Sequence, residues 1–204
     1  MVRDKTVRLQ VGNLRLFGLL ADNTISYITI MIYTIICIPI LLGPLSQSQT
    51  RVHTEATITI DLEAPPRVVL PLFGPIREAE WAHGWSPLIL YPSDGRQLAG
   101  SVFTTHDKDT DVVWIMSRFD ERAFEVEYAQ VLPKVWAGEI LIRLKESGTG
   151  RTRATVTYRR TALSPAADHG VENFGRHFPQ QREHWENAIN QRLRAIAEQH
   201  GQHN

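Results

Sequence analysis

The sequence predicts an α+β domain in which a curved antiparallel sheet of about seven strands packs around a long C-terminal helix. Three observations favour this fold: a series of strand-like runs, turn signals between them, and a change to helical periodicity after Pro179. A sheet must bury one face, and the final helix is the largest element available to cover it. The space between a bent sheet and a helix either fills with side chains or holds a ligand.

The first strand is predicted over residues 55–62, where apolar and polar side chains alternate as in a half-buried strand. The following Ala-Pro-Pro at 64–66 ends this strand and can begin a helix, because proline is tolerated in a first helical turn. Residues 67–82 then predict short, interrupted helices, since two prolines and a glycine between positions 71 and 75 forbid a long one.

Six further strands are predicted at short intervals. Their boundaries are 86–91, 99–106, 111–119, 123–132, 136–145 and 152–163. Turn-forming pairs such as Asp94-Gly95 separate them, and a Gly-Thr-Gly run precedes the last. Gaps of hairpin length indicate an antiparallel meander.

The C-terminal helix is predicted from the periodicity of its apolar side chains. From Pro179 onward, bulky apolar residues recur at helical spacing, and charged and amide side chains fill the opposite face. The apolar stripe comprises Trp185, Ala188, Ile189, Leu193 and Ile196. Pro179 suits a first helical turn, and Gly201 marks the end.

The composition indicates one domain with an appendage. The chain has 204 residues, and its 22 acidic side chains balance 22 basic ones, so no global field attracts nucleic acid and no such partner is expected. The single cysteine cannot form an intrachain disulfide and does not reveal the compartment. We divide the chain into a basic segment (1–24), an apolar segment (25–43), a linker (44–53), the folded domain (54–200) and a tail (201–204).

The apolar segment has the length of a transmembrane helix. No charged residue lies between Asp22 and Arg51, and eighteen apolar-rich residues from Ile25 to Leu42 would rise about 27 Å as a helix, close to the hydrocarbon thickness of a bilayer. The excess of basic residues before this segment places the N-terminus in the cytoplasm. We expect a single-pass anchor with the folded domain on the non-cytoplasmic side. A cleaved signal peptide and a stretch that is not part of the natural product are the alternatives.

Four local motifs carry a family resemblance. They are GPIREAEWAHGWSPLILYP (74–92), GSVFTT (100–105), VTYRRTALS (156–164) and HWENAINQRL (184–193). Together with the order of elements, over about residues 54–198, they resemble the START-like superfamily, also called Bet v 1-like or SRPBCC, which includes polyketide cyclase/dehydrase and lipid-transport domains. The resemblance implies a helix-grip fold with an internal hydrophobic cavity. It implies no catalytic residues, because such families share no single catalytic constellation.

Three residues are candidates for acid–base chemistry. Glu78 is one of two carboxylates, with Glu80, that flank Ala79 just before Trp81. Paired carboxylates beside aromatic residues could act as acid and base, with burial raising the pKa of one of them. The structural alternative is that Glu78 caps a helix or pairs with an arginine such as Arg77 or Arg118. His83 and His106 fall near predicted strand ends, where a cavity mouth would lie, so each is either a general base or a surface histidine. No histidine pair has two further ligands at zinc spacing, so no metal is expected, and no cofactor either.

The aromatic residues point to an apolar ligand. Most fall within predicted strands or on the helix stripe, and ligand pockets are mostly apolar with a few placed polar groups. The predicted ligand-binding residues are Trp81, Trp85, Phe103, Trp114, Tyr128, Tyr158, Phe178 and Trp185. A fully packed core without a cavity is the alternative.

The leading functional hypothesis is a membrane-anchored START-like domain that binds a hydrophobic small molecule, either a lipid or a polyketide-like compound. The first rival is a cyclase/dehydrase-type enzyme that uses a cavity carboxylate or histidine. The second is a non-catalytic protein-interaction module, which predicts an exposed apolar patch.

Overall fold

The computed structural model describes residues 50–107 and 109–201. Within this part of the chain the strands are β1 (His53–Leu62), β2 (Leu88–Tyr91), β3 (Val102–Asp107), β4 (Thr110–Asp120), β5 (Glu125–Leu132), β6 (Trp136–Glu146) and β7 (Thr152–Ala162). They form one antiparallel sheet in the order β1-β7-β6-β5-β4-β3-β2. The predicted meander is confirmed, and β1 joins it by pairing with β7.

The chain between β1 and β2 forms short helices, as the prolines and glycine there predict. Helix α1 (Pro66–Val69) runs into a 3-10 helix at Leu70–Phe73, and a second 3-10 helix follows at Arg77–Glu80. Neither 3-10 helix exceeds four residues. This segment covers one end of the concave face of the sheet, because the hydroxyl of buried Tyr128 on β5 donates to the carbonyl oxygen of Phe73 at 2.7 Å.

The helical region at the C-terminus begins earlier than the apolar periodicity after Pro179 predicts. It contains α2 (Asp168–His177), a 3-10 turn (Phe178–Gln181) and α3 (Arg182–Gly201). Pro179 lies in the turn between two helices, where its missing N–H costs nothing. The spacing of Val171, Phe174 and Phe178 is the signal for α2 that the prediction overlooked.

Two side chains of helix α3, an amide and a carboxylate, form hydrogen bonds with the backbone at the end of β1. The Asn190 side chain accepts from the Glu63 N–H at 2.8 Å and donates to the Asp61 carbonyl at 3.0 Å, and Glu186 accepts from the Asp61 N–H at 3.0 Å. Below these bonds Ile189 is fully buried against the concave face. The sheet and the long helix therefore form the helix-grip arrangement that the sequence predicts.

The edge strand β2 leaves apolar side chains in water. Leu88, Leu90 and Tyr91 are exposed, and β2 pairs only with β3 among the described strands. An exposed apolar edge is the surface that the interaction-module hypothesis requires.

The predicted membrane segment at 25–43 lies outside the described residues, as do the basic segment before it and most of the linker. Within residues 50–107 and 109–201, no helix combines the length and the apolar character that crossing a bilayer requires.

Candidate functional site

The concave face of the sheet, α3 and the 3-10 helices enclose an interior pocket. Its walls are almost entirely aromatic and aliphatic, with one carboxyl group. The lining residues are Phe73, Glu78, Trp85, Phe103, Trp114, Tyr128, Ile140, Ile142, Tyr158 and Trp185. The space left between them is about 10 Å³, which is room for about one water molecule.

Contacts between aromatic rings close this pocket. Trp114 stacks on Phe103 with ring centroids 5.5 Å apart, and its other neighbours are Trp85 at 5.4 Å and Tyr128 at 6.0 Å, both edge-on. Edge-to-face and offset contacts at these separations are favourable. In this state the interior is therefore filled by side chains, and the open cavity implied by the family resemblance is absent between the described residues.

The geometry of the 3-10 helix places Glu78 at the pocket. In a 3-10 helix residues three apart eclipse one another, so Arg77 and Glu80 share a face and form an ion pair with a 2.8 Å Nε–Oε1 distance. Glu78 lies on another face and lines the interior. Arg118 pairs instead with Asp120. Within residues 50–107 and 109–201, Glu78 therefore has no arginine partner, contrary to the structural alternative.

The environment of the Glu78 carboxyl group favours its neutral form. The residue is half-buried and lines the apolar interior pocket. Burial raises the pKa of Glu78 from 4.5 to about 8, because apolar surroundings disfavour the charged form of a carboxyl group. In the described part of the chain, no donor forms a hydrogen bond with this carboxyl group. At neutral pH it is an acid that still holds its proton.

Two tyrosines face the same interior. The Tyr128 hydroxyl is engaged with Phe73, whereas the Tyr158 hydroxyl forms no hydrogen bond with any described residue. Burial raises the pKa of both phenols, and the negative charge of an ionised Glu78 would raise them further. Both hydroxyls therefore stay protonated, and that of Tyr158 has an unused donor and acceptor.

The predicted ligand-binding residues divide into two groups. Six of them line the interior pocket: Trp85, Phe103, Trp114, Tyr128, Tyr158 and Trp185. Trp81 and Phe178 stand one layer behind, where each packs on Trp185, at 5.2 and 5.9 Å between ring centroids. Sequence reasoning missed Phe73, because the Pro- and Gly-rich segment that carries it has no periodicity from which to infer a face.

The two candidate histidines lie away from the pocket. His83 is exposed, and His106 is exposed with its Nδ1 2.9 Å from the Asp111 carboxylate on the next strand. Neither lines the interior, so only Glu78 among the three acid–base candidates is placed there. Among the residues that the structure describes, no group of three or more His, Cys, Asp or Glu side chains could hold a metal ion.

Comparison with known proteins places the fold. No family model matches the chain, and no curated protein sequence does. Norcoclaurine synthase from Thalictrum flavum is 10% identical, with a TM-score of 0.55 over 72% of this chain and 97% of that one. An aromatase/cyclase from Streptomyces sp. R1128 is 14% identical, with a TM-score of 0.51 over 71% and 96%. The fold is START-like, of the Bet v 1 type. Sequence identities this low show a shared fold, but they do not indicate which ligand this chain binds or which reaction it catalyses.

Proposed function

We propose that this START-like domain binds a hydrophobic small molecule in its interior, with Glu78 and Tyr158 as the polar contacts. One observation carries the proposal: both groups line an otherwise apolar pocket and have no hydrogen-bond partner among the described residues. Polar groups placed in an apolar pocket wall without a protein partner are suited to hydrogen bonds with a ligand. A ligand hydroxyl or carbonyl would satisfy both.

Binding requires the interior to open. We infer that the segment 74–87 moves, because it carries Glu78 and Trp85 and contains only one short 3-10 helix. The indole N–H of Trp85 donates to the Pro75 carbonyl at 2.6 Å within the same segment, so the ring would leave the pocket together with its backbone. The Nε–H of Arg192 on α3 donates to the Glu80 carboxylate at 2.6 Å. This ion pair links the segment to the long helix.

A flat ring system suits these walls better than a flexible acyl chain. Aromatic rings facing a ligand favour stacked and edge-on partners. A second structure of norcoclaurine synthase is a complex with dopamine and hydroxybenzaldehyde, which are small ring compounds. A polyketide-like compound is therefore our first choice of ligand class for this chain, and a lipid is the second.

The binding test compares Glu78→Leu with Glu121→Leu, which replaces an exposed carboxyl in the turn after β4. Isothermal calorimetry with 2-naphthaleneethanol, a neutral bicyclic alcohol, should show saturable binding to the full-length protein. The Glu78 variant should lose about fivefold in affinity, since one buried hydrogen bond contributes on the order of 1 kcal/mol, and the Glu121 variant should match the wild type. Absence of binding across this alcohol, sterols and fatty acids would remove the proposed function.

A specific observation also favours an enzyme. A carboxyl group with a pKa of about 8 can act as a general acid at neutral pH, and dehydration or cyclisation of a polyketide-like compound needs such a proton donor. The enzyme hypothesis predicts that the wild type converts a bound compound into product, whereas the Glu78→Gln variant binds the compound and leaves it unchanged. Conversion at the wild-type rate by the variant would exclude Glu78 as the acid.

We propose in addition that the segment 25–43 holds the domain at a membrane, with the domain on the non-cytoplasmic side. The support is its length and apolar composition together with the basic residues before it. After carbonate extraction of expressing cells, the full-length chain should sediment with the membranes. Recovery of a shortened chain in the supernatant would indicate a cleaved signal peptide instead.

A further inference from the structure

The convex face of the sheet, opposite the helices, carries an exposed row of apolar residues. Successive side chains of a strand point to opposite faces, and residues paired directly across two strands share a face. The strand register therefore shows which convex residues are neighbours. The first row runs from Leu88 on β2 through Thr104 on β3, Val113 on β4 and Val131 on β5 to Ala137 on β6.

A second apolar row lies beside the first. It runs from Tyr91 on β2 through Val102 on β3 and Ile115 on β4 to Ala129 on β5. Each of these residues is exposed or half-buried, whereas Phe103, which alternates with them on β3, is buried on the opposite face. We call the two rows, together with Leu90 at the bulge in β2, the convex patch.

The convex patch ends where charged residues of the same face begin. Beyond Ala129 the second row continues with Glu139 on β6, Arg159 on β7 and Glu55 on β1. The Arg159 guanidinium lies 2.8 Å from the Glu55 carboxylate and 3.7 Å from that of Glu139. The two rows of the patch contain no charged residue. A neutral surface of this kind gives a strongly charged partner, such as nucleic acid, no electrostatic attraction.

The size of the convex patch approaches that of a stable protein interface. Leu88, Leu90 and Tyr91 each expose more than half of their surface, and Ile115 and Val131 expose 44% and 38%. Large side chains present on the order of 200 Å² when fully exposed, so these five offer roughly 500 Å². The half-buried members bring the patch toward the ~800 Å² that each partner of a stable complex buries. Monomeric proteins seldom expose a larger contiguous apolar patch.

The backbone edge of β2 is poorly suited to a strand-adding partner. Pro87 and Pro92 flank its four residues, and proline has no N–H to donate. Prolines at an edge strand are one means by which native sheets discourage edge-to-edge pairing. The side chains of the convex patch, rather than the backbone of β2, therefore form the docking surface.

We propose that the convex patch packs against the same patch of a second copy of this chain, which gives a two-fold symmetric dimer. A two-fold interface places one surface against itself, so an uncharged apolar patch is complementary in character to its mate. The chain has a formal net charge of zero, so no net repulsion opposes the approach of two copies. The ion-paired Arg159 at the border belongs to the polar rim that surrounds such an interface. The inference is independent of the proposed function, because the interior pocket lies on the concave side.

The test measures energy transfer between two samples of the full-length protein mixed in phosphatidylcholine vesicles. Glu121→Cys in a Cys37→Ser background provides a single exposed thiol for a donor or an acceptor dye. Transfer in the otherwise unchanged protein should rise with the ratio of protein to lipid and saturate. Ile115→Asp should require a ratio at least about tenfold higher for the same transfer, because two-fold symmetry places the new charge in the interface twice.

Leu163→Asp is the matched control. Leu163 is 48% exposed, close to the 44% of Ile115, but it follows β7 and lies outside the convex patch. The control should therefore leave the transfer curve unchanged. Transfer at no ratio, or the same loss in the control as in Ile115→Asp, would overturn the inference.

Val131→Lys is the second variant, and it keeps the inference testable where Ile115→Asp does not fold. It introduces a charge of the opposite sign on β5 and should also weaken transfer about tenfold. Circular dichroism checks that each variant is folded. Undiminished transfer in a folded patch variant would show that another surface joins the copies. If no transfer appears, and vesicles shield a dye at Ile115→Cys from iodide, the patch contacts the bilayer instead and the dimer is overturned.

Discussion

Glu78→Gln is expected to flatten the pH dependence of stability, so that the variant becomes more stable than the wild type as pH rises above about 5, with the largest difference reached near pH 8. The pKa of Glu78 is raised in the folded state, from 4.5 to about 8. Between these two values the folded protein retains a proton that the unfolded chain has released, so the free energy of unfolding of the wild type falls as pH rises. Glutamine has no proton to lose, so the variant does not show this fall.

The size of the effect follows from the same shift. A pKa change from 4.5 to about 8 corresponds to a loss of at most about 5 kcal/mol in the free energy of unfolding across that pH window. For a domain of this size, each kcal/mol moves the melting temperature by roughly 2–4 °C. Below about pH 4.5 both side chains are neutral, and the two proteins should differ little.

Urea unfolding of both proteins between about pH 4 and 9 measures this difference directly. Glu121→Gln is the control, because it makes the same substitution at an exposed position in the turn after β4. Parallel curves for the wild type and the Glu78 variant would show that the carboxyl group is solvated, and the case for Glu78 as a protonated acid at neutral pH would fail.

Gly138→Ala is expected to be the most damaging small substitution in the sheet. Gly138 lies in β6, between β5 and β7, and a Cβ atom there would overlap the carbonyl oxygen of Arg159 on the neighbouring strand. Backbone atoms held in a ladder cannot move aside as a flexible side chain can. We expect a loss of about 3 kcal/mol in the free energy of unfolding, the upper range for overpacking.

Gly170→Ala is the matched control for that substitution. Gly170 lies in α2, and an added Cβ atom would meet no other atom within 4 Å. Alanine in a helix interior is more favourable than glycine by about 0.5–1 kcal/mol, so this variant should unfold at a higher urea concentration than the wild type. Equal stability of the two alanine variants would contradict the close approach at Gly138.

The interior pocket explains why an aromatic-rich core can serve binding. Rings in mutual contact fill the space without a ligand, and the side chains of Glu78 and Tyr158 in the pocket wall have no hydrogen-bond partner among the described residues. A ligand that displaces Trp85 would exchange ring–ring contacts for ring–ligand contacts and add hydrogen bonds. The closed state is therefore compatible with a binding role in which the occupant must open the segment 74–87.

The periodicity of the sequence predicted the sheet because each strand buries one face. The alternation in 55–62 needs no knowledge of partners, and the structure extends this strand only to His53–Leu62. The same local rule failed at α2, where two glycines and several polar residues obscured the apolar spacing. The site was predicted less well than the fold. The sequence could not show whether the Glu78 side chain would contact an arginine or face the interior. The answer depends on whether the segment forms an α-helix or a 3-10 helix, because the number of residues per helical turn decides which side chains share a face.

The sequence by itself determined which residues are apolar and how they alternate, and those two properties suffice for seven strands, a covering helix and a wall of aromatic side chains. Only the tertiary structure decided which groups meet across the sheet. Gln130 on β5, Gly138 on β6 and Arg160 on β7 lie side by side because of strand pairing, although the first and last are 30 positions apart in the sequence. Strand register of this kind is set by long-range packing, and no local pattern encodes it. The 3-10 helix that places Glu78 at the interior pocket likewise depends on packing.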